Sequence, residues 1–172
     1  MSMQPPLTGL SGAGASGSPR ILIEPAVLLH VYRFRQTHCW SREAGGQLFA
    51  FVDGHDWRVA EATGPRRSDL RSRFGFAGNR SQDQEDIQQR FGLGLHYVGD
   101  WHTHPQASPR PSTTDIDSMT RMVAASRHEL PGFLMMIVGT QPSHEGLWIS
   151  LHSPTGIWEE LSIAEVPDDK QT

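Results

Sequence analysis

The segment GDWHTHPQASPRPSTTD, residues 99–115, constrains the fold of this chain more than any other stretch. It overlaps the end of the apolar run 95–101, a strand candidate, and it ends at Ser112, which can open a helix. His102 and His104 are two residues apart, and side chains at this spacing share one face of an extended chain. Pro105 cannot donate to a sheet hydrogen bond, which favours the end of the strand there. The segment therefore predicts a strand, a loop and a helix, with two histidines at the open end of the strand.

The hydrophobic pattern around this unit predicts an α/β fold, a sheet with helices packed on it. Pro25 suits the first turn of a helix, and Asp53-Gly54 is a hairpin turn signal. The apolar run 133–138 is expected to be the central strand. The predicted order is strand 21–23, a helix from Pro25, strands 45–52 and 57–62, an irregular segment 64–80, a helix from Ser81, strand 95–101, a helix from Ser112, and strands 133–138, 147–151 and 156–161.

The chain length of 172 residues suits one domain. Residues 1–20 are rich in Gly, Ser and Pro, a composition that buries too little surface to become ordered, so they are expected to form a flexible tail. The domain itself is expected to span residues 21–163. Residues 164–172 are expected to form an acidic, frayed end.

Composition excludes several classes of function. The formal net charge of −4 gives no general attraction to nucleic acid or to an anionic membrane. The sequence contains no apolar run of membrane-spanning length and no secretory signal pattern, which favours a cytoplasmic protein. Cys39 is the single cysteine, and it is interpreted as a small apolar residue rather than a catalytic thiol.

His102, His104 and Asp115 form a candidate metal site. Imidazole is the commonest metal ligand, and a carboxylate in the first turn of the next helix could turn back to the same point. Three protein ligands leave the fourth tetrahedral position of a catalytic zinc open. Ser112-Thr113-Thr114-Asp115 is also the pattern of a helix capping box, and taken alone it favours that interpretation. The remaining histidines are interpreted as surface or capping residues.

Glu43 is the candidate general base. It lies just before Gly45-Gly46, where the backbone can approach a neighbour closely. Its local context alone favours a solvated glutamate beside Arg42, so its role depends on a wider pattern.

That wider pattern resembles the JAMM motif of the MPN+ (JAB1/MPN/Mov34) zinc metalloproteases, written E-x(n)-H-[ST]-H-x7-S-x2-D. Glu43, His102, His104, Ser112 and Asp115 fill its positions, and the WHTHP flanks are similar to the prokaryotic JAB branch. The resemblance implies the MPN fold, a mixed sheet flanked by helices and related to the cytidine deaminases. It implies Zn²⁺ held by both histidines and Asp115, Glu43 as the base that moves the water proton to the leaving amine, and Ser112 as a donor to the oxyanion.

The resemblance also implies a substrate class. Such enzymes cut the bond after the C-terminal glycine of a ubiquitin-like protein, and short bacterial members resemble deconjugating isopeptidases of antiphage defence islands, which act beside activating-like and conjugating-like enzymes. Others trim sulfur-carrier proteins. In this family, insertions between the base and the histidines help to hold the ubiquitin-like tail. The residues proposed to face an acidic partner surface here are Arg66, Arg67, Arg71 and Arg73. A solvated loop balanced by nearby acidic residues is the alternative.

Three other functions are less well supported by the sequence. A zinc deaminase needs H-x-E or C-x-E and P-C-x-x-C, whereas this chain has His104 at the position of the glutamate and one cysteine. A non-catalytic MPN interaction module predicts missing ligands, and none is missing. Nucleic-acid binding would depend on the arginines of segment 64–80 alone, with no stacking motif to support it.

Overall fold

The computed structural model describes residues 8–166 of the chain. The expectations of a flexible segment over residues 1–7 and of a frayed end over residues 167–172 lie outside these described residues.

A mixed nine-stranded sheet occupies the centre of the described structure, with strand order β10-β9-β8-β7-β3-β4-β2-β1-β11. The pairs β7–β8 and β2–β4 are parallel, and the other neighbouring pairs are antiparallel. A separate two-stranded hairpin, β5–β6, lies outside this sheet. The strands are β1 (Leu10–Ala13), β2 (Arg20–Ile23), β3 (Gly45–Asp53), β4 (Asp56–Ala62), β5 (Leu70–Ser72), β6 (Gly75–Ala77), β7 (His96–Thr103), β8 (Phe133–Val138), β9 (Leu147–His152), β10 (Trp158–Glu160) and β11 (Ser162–Glu165).

Three α-helices are present within residues 8–166: α1 (Pro25–Tyr32), α2 (Arg80–Phe91) and α3 (Thr113–Ala125). Pro25 stands in the first turn of α1, as predicted. Asn79 caps α2, because its side chain accepts hydrogen bonds from the backbone N–H groups of Ser81 and Gln82. Ser81 is therefore not the N-cap, and that prediction is wrong by two residues. None of these helices is both long enough and apolar enough to cross a bilayer.

Strand β8 divides the core between the two faces of the sheet. Leu134, Met136 and Val138 belong to the cluster that contains Val27, Leu28 and Val31 of α1. Phe133, Met135 and Ile137 belong to the cluster that contains Met119 and Val123 of α3. An all-apolar strand is what burial on both faces requires. The strand is nevertheless third from the β10 edge, and β3 is the central strand, which corrects the sequence expectation.

The expectation of a flexible tail is wrong for residues 8–20. Strand β1 pairs with β2 on one side and with β11 on the other, and Leu10 is fully buried. Partners on both sides satisfy the backbone of β1, so its Gly- and Ser-rich composition does not prevent order. Likewise, β11 continues to Glu165, beyond the expected domain limit at residue 163.

Candidate metal centre

The end of β7 brings the two predicted histidines together. The Nε2 atoms of His102 and His104 are 3.2 Å apart, and both side chains are largely buried. Strand β7 lies between β3 and β8, so the pair projects from the interior of the sheet rather than from an edge. The alternation of a strand and the turn at Pro105 therefore bring both imidazoles to one point, as the sequence predicts.

Asp115 faces the same point from the first turn of α3. Its Oδ1 is 3.4 Å from Nε2 of His102, and its Oδ2 is 3.4 Å from Nε2 of His104. The capping box is also present: Asp115 N–H donates to Ser112 Oγ at 3.1 Å, and Ser112 N–H donates to Asp115 Oδ2 at 2.7 Å. The two interpretations are compatible, because the capping box fixes the carboxylate while leaving it directed at the histidines.

Glu43 approaches the histidines from the residues just before β3. Donor atoms of Glu43, His102 and His104 all lie within 4.8 Å of one another. The glycines after Glu43 allow this approach, since a Cβ on Gly45 would lie 2.7 Å from the carbonyl oxygen of Trp101, and one on Gly46 would lie 1.8 Å from that of Thr63. These glycines therefore allow the close backbone contact that the sequence predicts for them.

Thr103 and Gln36 are site-supporting residues that sequence reasoning missed. Thr103 is fully buried on the face of β7 opposite the histidines. Its Oγ1 accepts a hydrogen bond from Ala44 N–H at 2.9 Å and donates one to Gln36 Oε1 at 3.0 Å. These bonds hold the residue after Glu43 against the strand that carries the histidines. The signal was the hydroxyl residue of the H-[ST]-H pattern, which the sequence interpretation left without a role.

The charges at the site are strongly coupled. Burial raises the pKa of the Glu43 carboxyl, although the two histidines oppose that effect. For Asp115, burial would raise the pKa, but hydrogen bonds from His102 and His104 outweigh it and hold the pKa well below its usual range. Burial also opposes the charged form of His104, yet the hydrogen bond to Asp115 gives a net rise in its pKa. Asp115 is thus an anion and Glu43 has a raised proton affinity, which separates their chemical roles.

The donor set fits a tetrahedral metal ion. Ligand atoms about 2.0–2.1 Å from a zinc ion at the centre of a tetrahedron are about 3.3 Å apart. The Nε2 atoms of His102 and His104 are 3.2 Å apart, and each lies 3.4 Å from a different oxygen of the Asp115 carboxylate. Nitrogen and carboxylate donors at these separations match what zinc binds.

Two overlapping sets of three donors share the histidine pair, one completed by Glu43 and the other by Asp115. Each oxygen of the Asp115 carboxylate lies 3.4 Å from one histidine nitrogen, and the ligand atoms of Glu43, His102 and His104 lie within 4.8 Å of one another. The pKa of the Asp115 carboxyl is also lowered, whereas that of the Glu43 carboxyl is raised. These two observations favour Asp115 as the ligand and leave Glu43 beside the metal position.

The four arginines of segment 64–80 do not act as one surface. Arg66 bonds to Asp83 at 2.6 Å and to Asp86, and Arg71 donates to the backbone oxygen of Glu43 at 2.8 Å. Arg73 lies over the ring of Phe74, 5.1 Å from its centroid. Arg67 is exposed. The contacts of Arg66 favour the alternative interpretation of an internally balanced loop for that residue, while a substrate-binding role for Arg67 and Arg73 stays a prediction.

A cavity of about 690 Å³ adjoins the site between α2 and α3. Its lining includes Gln47, Asp83, Asp100 and Met122. A smaller cavity of about 160 Å³ is lined by His102 and Asp115 together with Asp100 and Met122, so the two share part of their lining. The larger volume is in the range of sites that bind small molecules or side chains. The open space beside the metal position therefore extends along α2 and α3.

The mixed sheet with helices on both faces, and a His-x-His pair joined by a carboxylate of the next helix, define an α/β protein with a JAB/MPN-type site. A family model described as "Prokaryotic homologs of the JAB domain" matches residues 25–150. The chain belongs to this family, and its fold is the JAB/MPN fold.

Relatives of this chain carry enzyme names. A protein of Escherichia coli named "CD-NTase/cGAS isopeptidase" is 30% identical over 132 residues, which are 75% of this chain and 80% of the relative. A protein of the same name from Pseudomonas aeruginosa is 33% identical, over 72% of this chain and 77% of the relative. A "Probable metalloprotease" of Sinorhizobium fredii is 29% identical over 44% of this chain and 48% of its own length.

A solved structure shares the fold. The solution structure of a protein from Desulfitobacterium hafniense superposes with a TM-score of 0.52 and 21% identity, covering 77% of this chain and 81% of that one. At this identity the likeness concerns the arrangement of strands and helices alone.

Proposed function

We propose that this protein is a zinc-dependent isopeptidase that hydrolyses the bond after the C-terminal glycine of a ubiquitin-like protein, in a conjugate or in a precursor. The observation that carries the proposal is the convergence of His102, His104 and Asp115 at separations that fit a tetrahedral ion, with Glu43 beside them. The names of the relatives support a hydrolase of the isopeptidase class.

Each residue has a distinct role in this proposal. His102, His104 and Asp115 would hold the ion, which when bound polarises a carbonyl and lowers the pKa of a coordinated water from 15.7 to about 7. Glu43 accepts the proton of the attacking water and passes it to the leaving amine, and its raised pKa helps it to hold that proton. A carboxylate so placed contributes roughly 10²–10⁴ in rate.

Ser112 is proposed as a hydrogen-bond donor to the oxyanion that forms on the substrate. Its Oγ donates to Asp115 Oδ2 at 2.8 Å, so serving the oxyanion requires the hydroxyl to rotate from the capping box. Backbone N–H of Ser112 also donates to that carboxylate at 2.7 Å and would keep Asp115 in place during the rotation. Loss of one such donor costs about 10²–10³ in kcat.

The cavity between α2 and α3 is proposed to receive the extended segment of the substrate beside the scissile bond. Gln47 and Asp100, which pair across β3 and β7, both line it. The amide Oε1 of Gln47 is buried and has no hydrogen-bond partner among the described residues. A substrate backbone N–H could supply that partner, because buried acceptors are costly to leave unpaired.

The test measures zinc content and cleavage of a ubiquitin-like protein fused through its C-terminal glycine. Wild type is expected to bind about one zinc ion and to cut the fusion. Glu43→Gln should keep the zinc and lose cleavage by roughly 10²-fold or more. Asp115→Asn should lose zinc, whereas Asp117→Asn, an exposed change one half-turn further along α3, should retain both zinc and activity.

The outcomes separate the parts of the proposal. A wild-type protein without zinc affinity would overturn the metal site. Zinc binding without cleavage of the fusion or of a lysine-linked conjugate would overturn the proposed activity. A Glu43→Gln variant that loses zinc while Asp115→Asn keeps it would exchange the roles of the two carboxylates.

A further inference from the structure

Arg71 contacts the backbone of the proposed base directly. Its Nε donates to the carbonyl oxygen of Glu43 at 2.8 Å, and its Nη2 donates to that of Arg42 at 3.4 Å. The side chain is half-buried, and burial lowers its pKa. Within residues 8–166 no carboxylate forms an ion pair with it, so the backbone carbonyls are its hydrogen-bond partners. A hydrogen bond from a charged donor to a carbonyl oxygen is stronger than one from a neutral donor.

The hairpin β5–β6 that carries Arg71 is joined to the base by further contacts. Backbone N–H of Glu43 donates to the carbonyl oxygen of Ser72 at 2.8 Å. The ring of Phe76, which pairs opposite Arg71, is so close to Gly45 that a Cβ there would lie 2.6 Å from it. Both polar groups of the Glu43 peptide backbone are thus bonded to this hairpin, on one side to Ser72 and on the other to Arg71.

We propose that Arg71 is a positioning residue: it holds the backbone of Glu43 so that the carboxylate reaches the space beside the histidine pair. The inference depends on the proposed function, because it assigns Arg71 a part in the same reaction. It replaces, for this residue, the sequence interpretation of a contact to substrate.

The expected signature is a loss in kcat rather than in substrate affinity. Misplacement of a catalytic group by about 1 Å can cost on the order of 10²-fold in rate. Glu43 precedes the first residue of β3 by two positions, so the restraints that act on its backbone from outside the sheet are the hydrogen bond that it accepts from Arg71 and the one that it donates to Ser72. A guanidinium that contacted substrate would instead act mainly on KM.

The experiment compares Arg71→Met, which keeps the length of the side chain without its donors, with Arg71→Lys, which restores one donor. Arg127→Met is the matched control, since Arg127 is exposed and lies outside the hairpin and the candidate site. Arg71→Met is expected to lower kcat by roughly 10–100-fold with KM and zinc content unchanged. Arg71→Lys should recover part of this loss, and Arg127→Met should resemble wild type in kcat.

Amide hydrogen exchange of Glu43 N–H provides a readout that does not require cleavage. Arg71→Met should accelerate this exchange, because the N–H is bonded to Ser72 on the hairpin that Arg71 anchors. Unchanged kcat, or a rise in KM at constant kcat, would overturn the positioning role. If wild type cuts no substrate, the proposed function fails separately, and unchanged Glu43 exchange in Arg71→Met would then overturn the inference about Arg71. If thermal denaturation shows that Arg71→Met is not folded, Arg71→Lys takes its place in the comparison.

Discussion

The side chain of Thr103 and those of the two histidines beside it point to opposite faces of the chain at the end of β7. His102 and His104 face the metal position, while the hydroxyl of Thr103 is buried and bonded to Ala44 and Gln36. Three consecutive residues therefore carry the candidate ligands and also fix the distance to Ala44, the residue after Glu43. Period-2 alternation makes this possible, because successive side chains of a strand point to opposite faces.

Thr103→Val should test that link. Valine has nearly the same shape, but it leaves the N–H of Ala44 and Oε1 of Gln36 without their partner. The expected cost is about 2 kcal/mol in the free energy of unfolding, measured by urea denaturation, together with a lower kcat. Thr114→Val, at an exposed position of α3, is the control and should change neither. An unaltered kcat in Thr103→Val would show that the bonds to Thr103 do not place Glu43.

Individual residues differ in how far their sequence context predicts their role. His102, His104 and Asp115 were predicted together, because a strand end followed by a helix start fixes where their side chains can meet. The ion pairs of Arg66 match the alternative of a loop balanced by nearby acidic residues, whereas the contact of Arg71 was not predicted, since its partner, the Glu43 carbonyl, is 28 residues away in sequence. Long-range hydrogen bonds leave no local pattern.

Ion pairs and hydrogen bonds join segment 64–80 to helix α2. Arg66 bonds to Asp83 and Asp86 of α2, and the carboxylate of Asp69 accepts hydrogen bonds from the N–H groups of Arg66 and Asn79. Asn79 in turn caps α2. Helix α2 has no buried residue, so these polar contacts contribute much of what holds it to the segment.

Arg66→Gln and Arg67→Gln should therefore behave differently. The first leaves Asp83 without its ion-pair partner and Asp86 with Arg90 alone, and it should destabilise the protein by about 1–2 kcal/mol, since the pairs are partly buried. The second alters an exposed side chain and should stay within about 0.5 kcal/mol. Chemical denaturation measures both. A slower cleavage of the protein substrate by Arg67→Gln alone would support its predicted contact with an acidic partner, and equal stability of both variants would contradict the structural role of Arg66.

Long elements were predicted better than short ones. The hairpin β3–β4 and the strand β8 have clear hydrophobic patterns of six residues or more. Strands β1, β5, β6 and β11 have three or four residues each, and their Gly, Ser and Arg content gives no strand pattern. These strands form because they pair with segments elsewhere in the chain, and residue propensity gives no information about such distant partners.

At the scale of the whole molecule, β1 completes the sheet between β2 and β11. Leu10→Ala should cost about 2–5 kcal/mol in the free energy of unfolding, because the side chain is fully buried in the main core cluster. Ser11→Ala, whose hydroxyl bonds at the surface, is the control. Thermal or urea unfolding of the two variants gives the comparison. A Leu10→Ala protein as stable as Ser11→Ala would restore the expectation of a flexible tail.

The dependence of the protein's stability on pH arises in part from His152. Its side chain is 1% exposed, and Nδ1 has no hydrogen-bond partner among the described residues. Burial lowers its pKa from 6.5 to about 4. Between these values the unfolded chain binds the proton and the folded protein does not, so stability is present above pH 6.5 and is lost as the pH falls towards 4.

Urea denaturation between pH 7.5 and about pH 4.5 should show this loss, on the order of 2 kcal/mol from His152. His152→Gln should have a flatter dependence on pH over this interval, whatever its stability at neutral pH. His55→Gln changes an exposed histidine and should keep the wild-type slope. Equal slopes for wild type and His152→Gln would contradict the lowered pKa.

The pairing of β1 with β11 places residues 9 and 166 side by side, since Val166 N–H donates to the carbonyl oxygen of Gly9 at 3.0 Å. The described chain therefore enters and leaves the domain at one place on the sheet. A short linker between these positions would permit circular permutation, with new ends opened at the exposed Gly54 turn between β3 and β4. Such a permuted protein would keep the strand that bears His102 intact and would move the point of fusion to a reporter or to a surface from the β1–β11 side to the Gly54 turn.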